Sequence, residues 1–84
     1  MGKKRSDLEI LAAILTIARD GARKSHIVYK ANLNFKVLDV YLKCLVDSGL
    51  INFPPAGDYL FRTTEKGVGY IHQFGNLVET FNLA

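Results

Sequence analysis

Apolar residues recur at helical spacing in four segments of the chain, and two short β-type runs lie between the third segment and the fourth. The predicted helices cover residues 7–19, 26–31, 35–48 and 65–81. The β-type runs, 50–53 and 59–62, flank a turn that contains two prolines, which indicates a hairpin. The pattern therefore predicts a mainly α chain with a small β-hairpin and the element order α-α-α-β-β-α.

Small polar residues precede each of the predicted helices. Ser6 with Glu9 three positions later forms a capping box for the first helix. The residues expected to cap the other three helices are Ser25, Asn34, and Thr63 or Thr64. Asn32 is expected to end the second helix, because asparagine tolerates the left-handed conformation.

The third predicted helix has an apolar face and a polar face. Its inward side is expected to consist of Leu38, Leu42 and Leu45. The residues on its opposite side are Lys36, Val40, Lys43 and Asp47. The first helix carries a wide apolar stripe made of Leu8, Leu11, Ile14, Leu15 and Ala18. Tyr29 and Tyr41 are expected to lie in the core or at its boundary.

Composition allows a single small domain with a mild basic bias. The chain has 84 residues, of which 49% are apolar, and 11 basic residues against 8 acidic ones give a net charge of +3. A domain of this size buries a limited fraction of its surface, so a partner subunit would help to stabilise it.

The sequence contains no pattern typical of a metal site, a cofactor site or an active site. One cysteine, Cys44, and two histidines give no zinc-type spacing. There is no pairing typical of a nucleophilic site and no glycine-rich phosphate loop. The expectations are therefore no cofactor, no catalytic residue and no evident small-molecule substrate. No apolar stretch is long enough to cross a membrane, and a cytoplasmic, nucleoid-associated protein is expected.

Two segments resemble a known family. Residues 42–51 read Leu-Lys-Cys-Leu-Val-Asp-Ser-Gly-Leu-Ile, and residues 59–67 read Tyr-Leu-Phe-Arg-Thr-Thr-Glu-Lys-Gly. In this order they resemble the end of the recognition helix, the wing and the start of the last helix of small archaeal winged helix-turn-helix proteins. These are chromatin-type or regulatory DNA-binding proteins with a C-terminal dimerisation helix. The resemblance implies that the third helix lies in the major groove of double-stranded DNA.

The resemblance implies a set of DNA-contacting residues. They are expected at the start of the second helix, on the outer face of the third helix and on the wing, and comprise Arg23, Lys24, Ser25, Lys30, Asn34, Lys36, Asp39, Val40, Lys43 and Arg62. Basic residues would contact phosphates, and valines would contact thymine methyl groups.

Three features favour an alternative function. The third helix has no arginine, it carries Asp39 and Asp47, and the turn at 54–58 has no basic residue. These features favour binding of low sequence specificity, or a winged-helix module that binds proteins through a degenerate DNA face.

The last helix carries an apolar stripe wider than a domain of this size is expected to cover. Pairing with a second copy would bury it, so a homodimer is expected, and its interface residues are Tyr70, Ile71, Phe74, Leu77, Val78 and Phe81. The alternative is a monomer whose stripe folds back on the first helix. In the homodimer, residues 1–64 would form the winged helix-turn-helix part, and residues 65–84 the dimerisation helix of the same domain.

Overall fold

The computed structural model describes residues 6–81, with side chains described as far as residue 76. Within this part the elements are α1 (Asp7–Ile17), α2 (Lys24–Ala31), α3 (Phe35–Asp47), β1 (Ile51–Asn52), β2 (Arg62–Thr63) and α4 (Glu65–Phe81). The two strands pair antiparallel. The predicted order α-α-α-β-β-α is confirmed, with α1 ending two residues and α3 one residue earlier than expected.

Side-chain caps fix the starts of three helices. The Ser6 hydroxyl accepts a hydrogen bond from the backbone N–H of Glu9 at 3.1 Å, and the Glu9 carboxylate accepts one from the N–H of Ser6 at 2.8 Å. The Asn34 side chain accepts from the N–H of Val37 at 2.8 Å. The Thr64 hydroxyl accepts from the N–H of Gly67 at 3.1 Å. These bonds satisfy N–H groups that have no partner inside a helix, and the predicted caps at these helices are confirmed.

The expected cap of α2 is wrong. The helix begins at Lys24, its N-cap is Arg23 with an extended backbone, and no side chain caps it. Ser25 is therefore an exposed residue of the first turn. The earlier start follows from Ala22, which forms an antiparallel bridge with Phe61 and brings extended backbone up to residue 23. Asn32 ends the helix with φ 57°, as predicted.

The core lies where α1, α2 and α3 meet the sheet. Its fully buried large side chains are Ile14, Leu15, Ile27, Leu38, Leu45 and Ile51. The leucine face of α3 is thus buried as predicted, with Leu42 only 4% exposed. Leu8, on the apolar stripe of α1, is 54% exposed because it lies in the first turn, outside the core. The expectation for Tyr29 is wrong, because this residue is 81% exposed and α2 buries Ile27 and Ala31 instead.

The wing is shorter and shifted relative to the prediction. Ile51 pairs with Thr63 and Asn52 with Arg62, so Tyr59 and Leu60 lie outside the ladder. The cause is Asp58, whose carboxylate accepts hydrogen bonds from the N–H groups of Tyr59 and Leu60 at 2.6 and 3.1 Å. An aspartate that binds the following backbone in this way forms a turn instead of a strand.

The start of α4 is attached to the end of α3 and the turn that follows it. The Thr64 hydroxyl donates to the carbonyl of Gly49 at 2.7 Å, and the Lys66 ammonium donates to the carbonyl of Ser48 at 2.9 Å. Gly67 is buried, and a Cβ atom there would collide with the carbonyl oxygen of Leu50. One turn later, burial raises the pKa of Tyr70. The first turns of α4 are therefore an integral part of the folded domain.

Candidate nucleic-acid interface

The outer face of α3 is open to solvent. Lys36, Asp39, Val40, Lys43 and Asp47 are all exposed, with Val40 at 67%. Because Leu38, Leu42 and Leu45 are buried behind them, the helix cannot turn this face inward. The result is a rigid ridge that presents two lysines, two aspartates and a valine.

Two of the basic residues at this face are paired with acids. The Lys24 ammonium lies 2.6 Å from the Asp39 carboxylate, with side chains 44% and 55% exposed. Lys43 lies 3.2 Å from Asp47, one helical turn away on α3, with side chains 78% and 63% exposed. Surface ion pairs of this kind contribute about 0–1 kcal/mol, so another anion can replace either carboxylate at low cost.

Lys36 differs from the two paired lysines. Among the described residues it has no ion pair or side-chain hydrogen bond, and it is exposed in the first turn of α3. Asn34, directly before this turn, uses its side-chain oxygen to cap the helix. At the start of α3, the Lys36 ammonium is therefore available to bind an anion, whereas the side-chain oxygen of Asn34 is used in the helix cap.

The start of α2 adds further basic groups to this side of the molecule. Arg23, the N-cap residue, is exposed and has no ion pair in the described part of the chain, and the same holds for Lys30, which lies at the other end of α2 in its last turn. Ser25 is exposed in the first turn. The backbone N–H groups there lack a side-chain cap, which is an arrangement that can accept an anion.

The wing contributes an arginine that is partly engaged. The Arg62 guanidinium donates to the carbonyl of Asp20 at 3.0 Å, which ties β2 to the end of α1. The turn at 54–58 is largely exposed and contains Gly57 with φ 84°. Its exposed surface is therefore apolar or acidic, as the sequence predicts.

Aromatic residues beside the wing were not identified from the sequence. Phe53 and Tyr59 flank the turn and are 70% and 72% exposed, and Phe35 at the start of α3 is 51% exposed. The available signal was the pair of aromatic residues on either side of the Pro54-Pro55 turn. Exposed rings clustered on one surface are typical of a binding site.

The expected dimer residues lie along α4. Tyr70, Ile71 and Phe74 are half-buried, and Ile71 and Phe74 line a groove with α1 residues that include Ala13 and Ile17. Leu77, Val78 and Phe81 lie outside the residues whose side chains are described. Only the first half of the predicted interface can therefore be placed.

Among the described residues, no three histidine, cysteine or acidic side chains are grouped so that they could hold a metal ion. The same part of the chain holds no helix with the length and hydropathy of a membrane span.

Comparison with known proteins identifies a family and a similar solved structure. The sequence matches the model of the family described as winged helix-turn-helix over residues 4–81. The fold is similar to the crystal structure of Sso10a-2, a DNA-binding protein from Sulfolobus solfataricus, with a TM-score of 0.82 and 24% sequence identity. The alignment covers 93% of this chain and 83% of that chain. No curated protein matches the sequence significantly. At this identity the structural likeness establishes a shared fold.

Proposed function

Because the chain belongs to the winged helix-turn-helix family, we propose that it binds double-stranded DNA with α3 in the major groove. The observation that carries the proposal is the outer face of α3, where the side chains of Lys36, Val40 and Lys43 are exposed to solvent. The role is one of binding, and the ten residues predicted from the sequence form the proposed contact surface.

Phosphate contacts would supply most of the affinity. Lys36 is available without rearrangement, and Lys43 and Lys24 can exchange an exposed carboxylate for a phosphate. Arg23 and the N–H groups at the start of α2 would hold one phosphate, and Lys30, in the last turn of α2, would contact a different one. These contacts position the protein but do not read sequence.

Base recognition would be weak. Val37 and Val40 are 37% and 67% exposed and can contact thymine methyl groups. Asp39 can accept a hydrogen bond from cytosine, but it also repels phosphate. With no arginine on α3, the most common contact to guanine is missing. We therefore propose binding of low sequence specificity, suited to a chromatin-like protein or a regulator that acts together with other factors.

We propose that α4 pairs with its counterpart in a second copy. The support is the half-buried Ile71 and Phe74 and the apolar sequence that continues to Phe81. In this arrangement residues 1–64 contact DNA and residues 65–84 join the two copies. A dimer presents two α3 helices to one duplex, which doubles the number of phosphate contacts.

A second candidate function is a protein-binding module. The observation that favours it is the neutralisation of Lys24 and Lys43 by acids, beside the exposed rings of Phe35, Phe53 and Tyr59. If this candidate is correct, the protein does not bind duplex DNA, whereas the first candidate requires DNA binding that weakens as the salt concentration rises.

Fluorescence anisotropy with a random-sequence duplex over a series of salt concentrations tests the proposal. The logarithm of the binding constant should fall linearly with the logarithm of the salt concentration, by about 0.9 for each neutralised phosphate. Lys36→Gln with Lys43→Gln should lower that slope by about 0.9 for each lysine in each bound copy.

Arg19→Gln is the matched control, because Arg19 is exposed, follows α1 and is not in the proposed contact surface. It removes one positive charge, where the double variant removes two, and should change the slope by much less than half as much. Equal slopes for the double variant and the unmodified protein would overturn the assignment of α3.

A further inference from the structure

A cavity of about 700 Å³ lies between the start of α2, the start of α3 and the wing turn. Its lining residues include Arg23, Lys24, Phe35, Phe53, Tyr59 and Phe61. Pockets that bind small organic molecules have volumes of about 300–1,000 Å³ and are mainly apolar with a few polar groups. The cavity meets both criteria.

The cavity has aromatic walls, and contacts hold the Phe53 ring and the backbone at Tyr59 in place. The ring of Phe53 packs edge-on against the buried ring of Phe61, with centroids 5.6 Å apart and an interplanar angle of 77°. The Asp58 carboxylate, bound by the N–H groups of Tyr59 and Leu60, fixes the turn that carries the Tyr59 ring. Aromatic faces and edges that are already in position favour a planar aromatic ligand over a flexible one.

The charges around the cavity indicate a ligand with one negative charge. The Lys24 ammonium is balanced by Asp39 at 2.6 Å, and the Asp58 carboxylate keeps its negative charge while its Oδ1 accepts from two backbone N–H groups of the turn. Among the described residues, Arg23 is the lining cation that has no ion pair. A guanidinium group binds one carboxylate with two parallel hydrogen bonds.

We propose that this cavity binds a small planar aromatic carboxylate, with the ring against Phe53 and Tyr59 and the carboxylate on Arg23. The geometry of the cavity alone supports the ligand site. A second claim rests on the proposed function, because the cavity lies beside the start of α3 and under the wing. The bound ligand occupies the surface by which α2 and the wing approach DNA, so ligand and duplex compete.

Isothermal titration calorimetry with naphthoate, without DNA, tests the site directly. Naphthoate should bind with a dissociation constant below about 1 mM. Naphthylmethanol lacks the charge and cyclohexanecarboxylate lacks the aromatic ring, and each should bind about tenfold more weakly or not at all. Equal affinity for naphthoate and naphthylmethanol, or no heat from naphthoate at about 1 mM, would overturn the proposal.

Two variants locate the ligand. Arg23→Gln should weaken naphthoate binding about tenfold or more, because it removes a charge-assisted hydrogen bond. Tyr59→Ala should weaken it by removing a wall, whereas Tyr29→Ala removes an equally exposed ring outside the cavity and should leave the affinity unchanged. Affinity that drops equally for both tyrosine variants, or that is unaffected by Arg23→Gln, contradicts the assigned site.

Competition is measured separately, by adding naphthoate to the protein–duplex complex. Release of the duplex by naphthoate but not by naphthylmethanol supports the effector role. Calorimetric binding without release of a bound duplex refutes the competition and leaves both the site and the DNA proposal in place. If the protein binds no duplex, the calorimetric result still decides the ligand site.

Discussion

Replacing Asp39 with asparagine should tighten DNA binding at little cost in stability. The carboxylate pairs with Lys24 at 2.6 Å, but both side chains are about half exposed, 44% and 55%. Losing an ion pair this exposed should lower the free energy of unfolding by less than about 1 kcal/mol. The same substitution should raise the affinity for DNA, because it removes a negative charge from the face that would meet phosphates.

The Asp39→Asn substitution should favour DNA binding in two ways in each chain. The variant loses one carboxylate that repels the duplex, and Lys24 no longer has to give up an ion pair to contact a phosphate. Two charge effects of about 0.5 kcal/mol each, the size for unit charges roughly 8 Å apart in water, give about 1 kcal/mol per chain, or about a fivefold lower dissociation constant. The slope against salt should change little, because Lys24 contacts a phosphate in both proteins.

Fluorescence anisotropy gives the affinity and slope, and thermal unfolding gives the stability. Asp20→Asn is the control, since it removes one acidic charge from an exposed residue outside α3. A variant that binds duplex DNA no more tightly than the Asp20→Asn protein would refute the placement of Asp39 at the DNA surface.

Four further substitutions test the fold and the assembly. Gly67→Ala should destabilise the protein by about 1–3 kcal/mol through collision with the Leu50 carbonyl, whereas Gly69→Ala, with open space around it, should stabilise α4 by about 1 kcal/mol in thermal unfolding. The buried Tyr70 hydroxyl has no hydrogen-bond partner in the described structure, so Tyr70→Phe should be neutral or stabilising by about 1 kcal/mol in urea titration. The raised folded-state pKa of Tyr70 means that the unfolded chain ionises first, so stability falls as pH rises through about 10, and Tyr70→Phe should reduce that loss. Phe74→Asp should yield monomers in analytical ultracentrifugation while circular dichroism stays helical, and an unchanged mass would contradict the proposed dimer.

Local sequence signals predicted the helical framework well. The Ser6–Glu9 capping box, the Asn34 cap and the leucine spacing of α3 are all confirmed, because each depends on residues within a few positions of one another. The resemblance to winged helix-turn-helix proteins is confirmed by the family match.

The errors come from contacts between residues far apart in the chain. The bridge between Ala22 and Phe61 lies across 38 intervening positions and precedes the start of α2 at Lys24, before Ser25. No local pattern encodes this pairing. The exposure of Tyr29 has the same kind of origin, since it depends on which face of a short helix meets its neighbours.

The sequence could predict that the outer side of α3 is exposed, but it could not predict all of the ion pairs formed by the basic residues there. The pair Lys43–Asp47 has the helical i, i+4 spacing and could have been recognised from sequence. The pair Lys24–Asp39 joins two helices and depends on the tertiary structure. The cavity beside the wing is likewise formed by three separate segments, so its aromatic residues carried no signal as a group.

A nuclear magnetic resonance titration of the isotope-labelled protein with a short duplex tests the central claim most directly. If α3 enters the major groove, the largest shifts should occur at the amides and side chains of Lys36, Val40 and Lys43, with smaller shifts at the start of α2. Shifts confined to α1 and α4, or a duplex that leaves the α3 signals unchanged at saturation, would contradict the account.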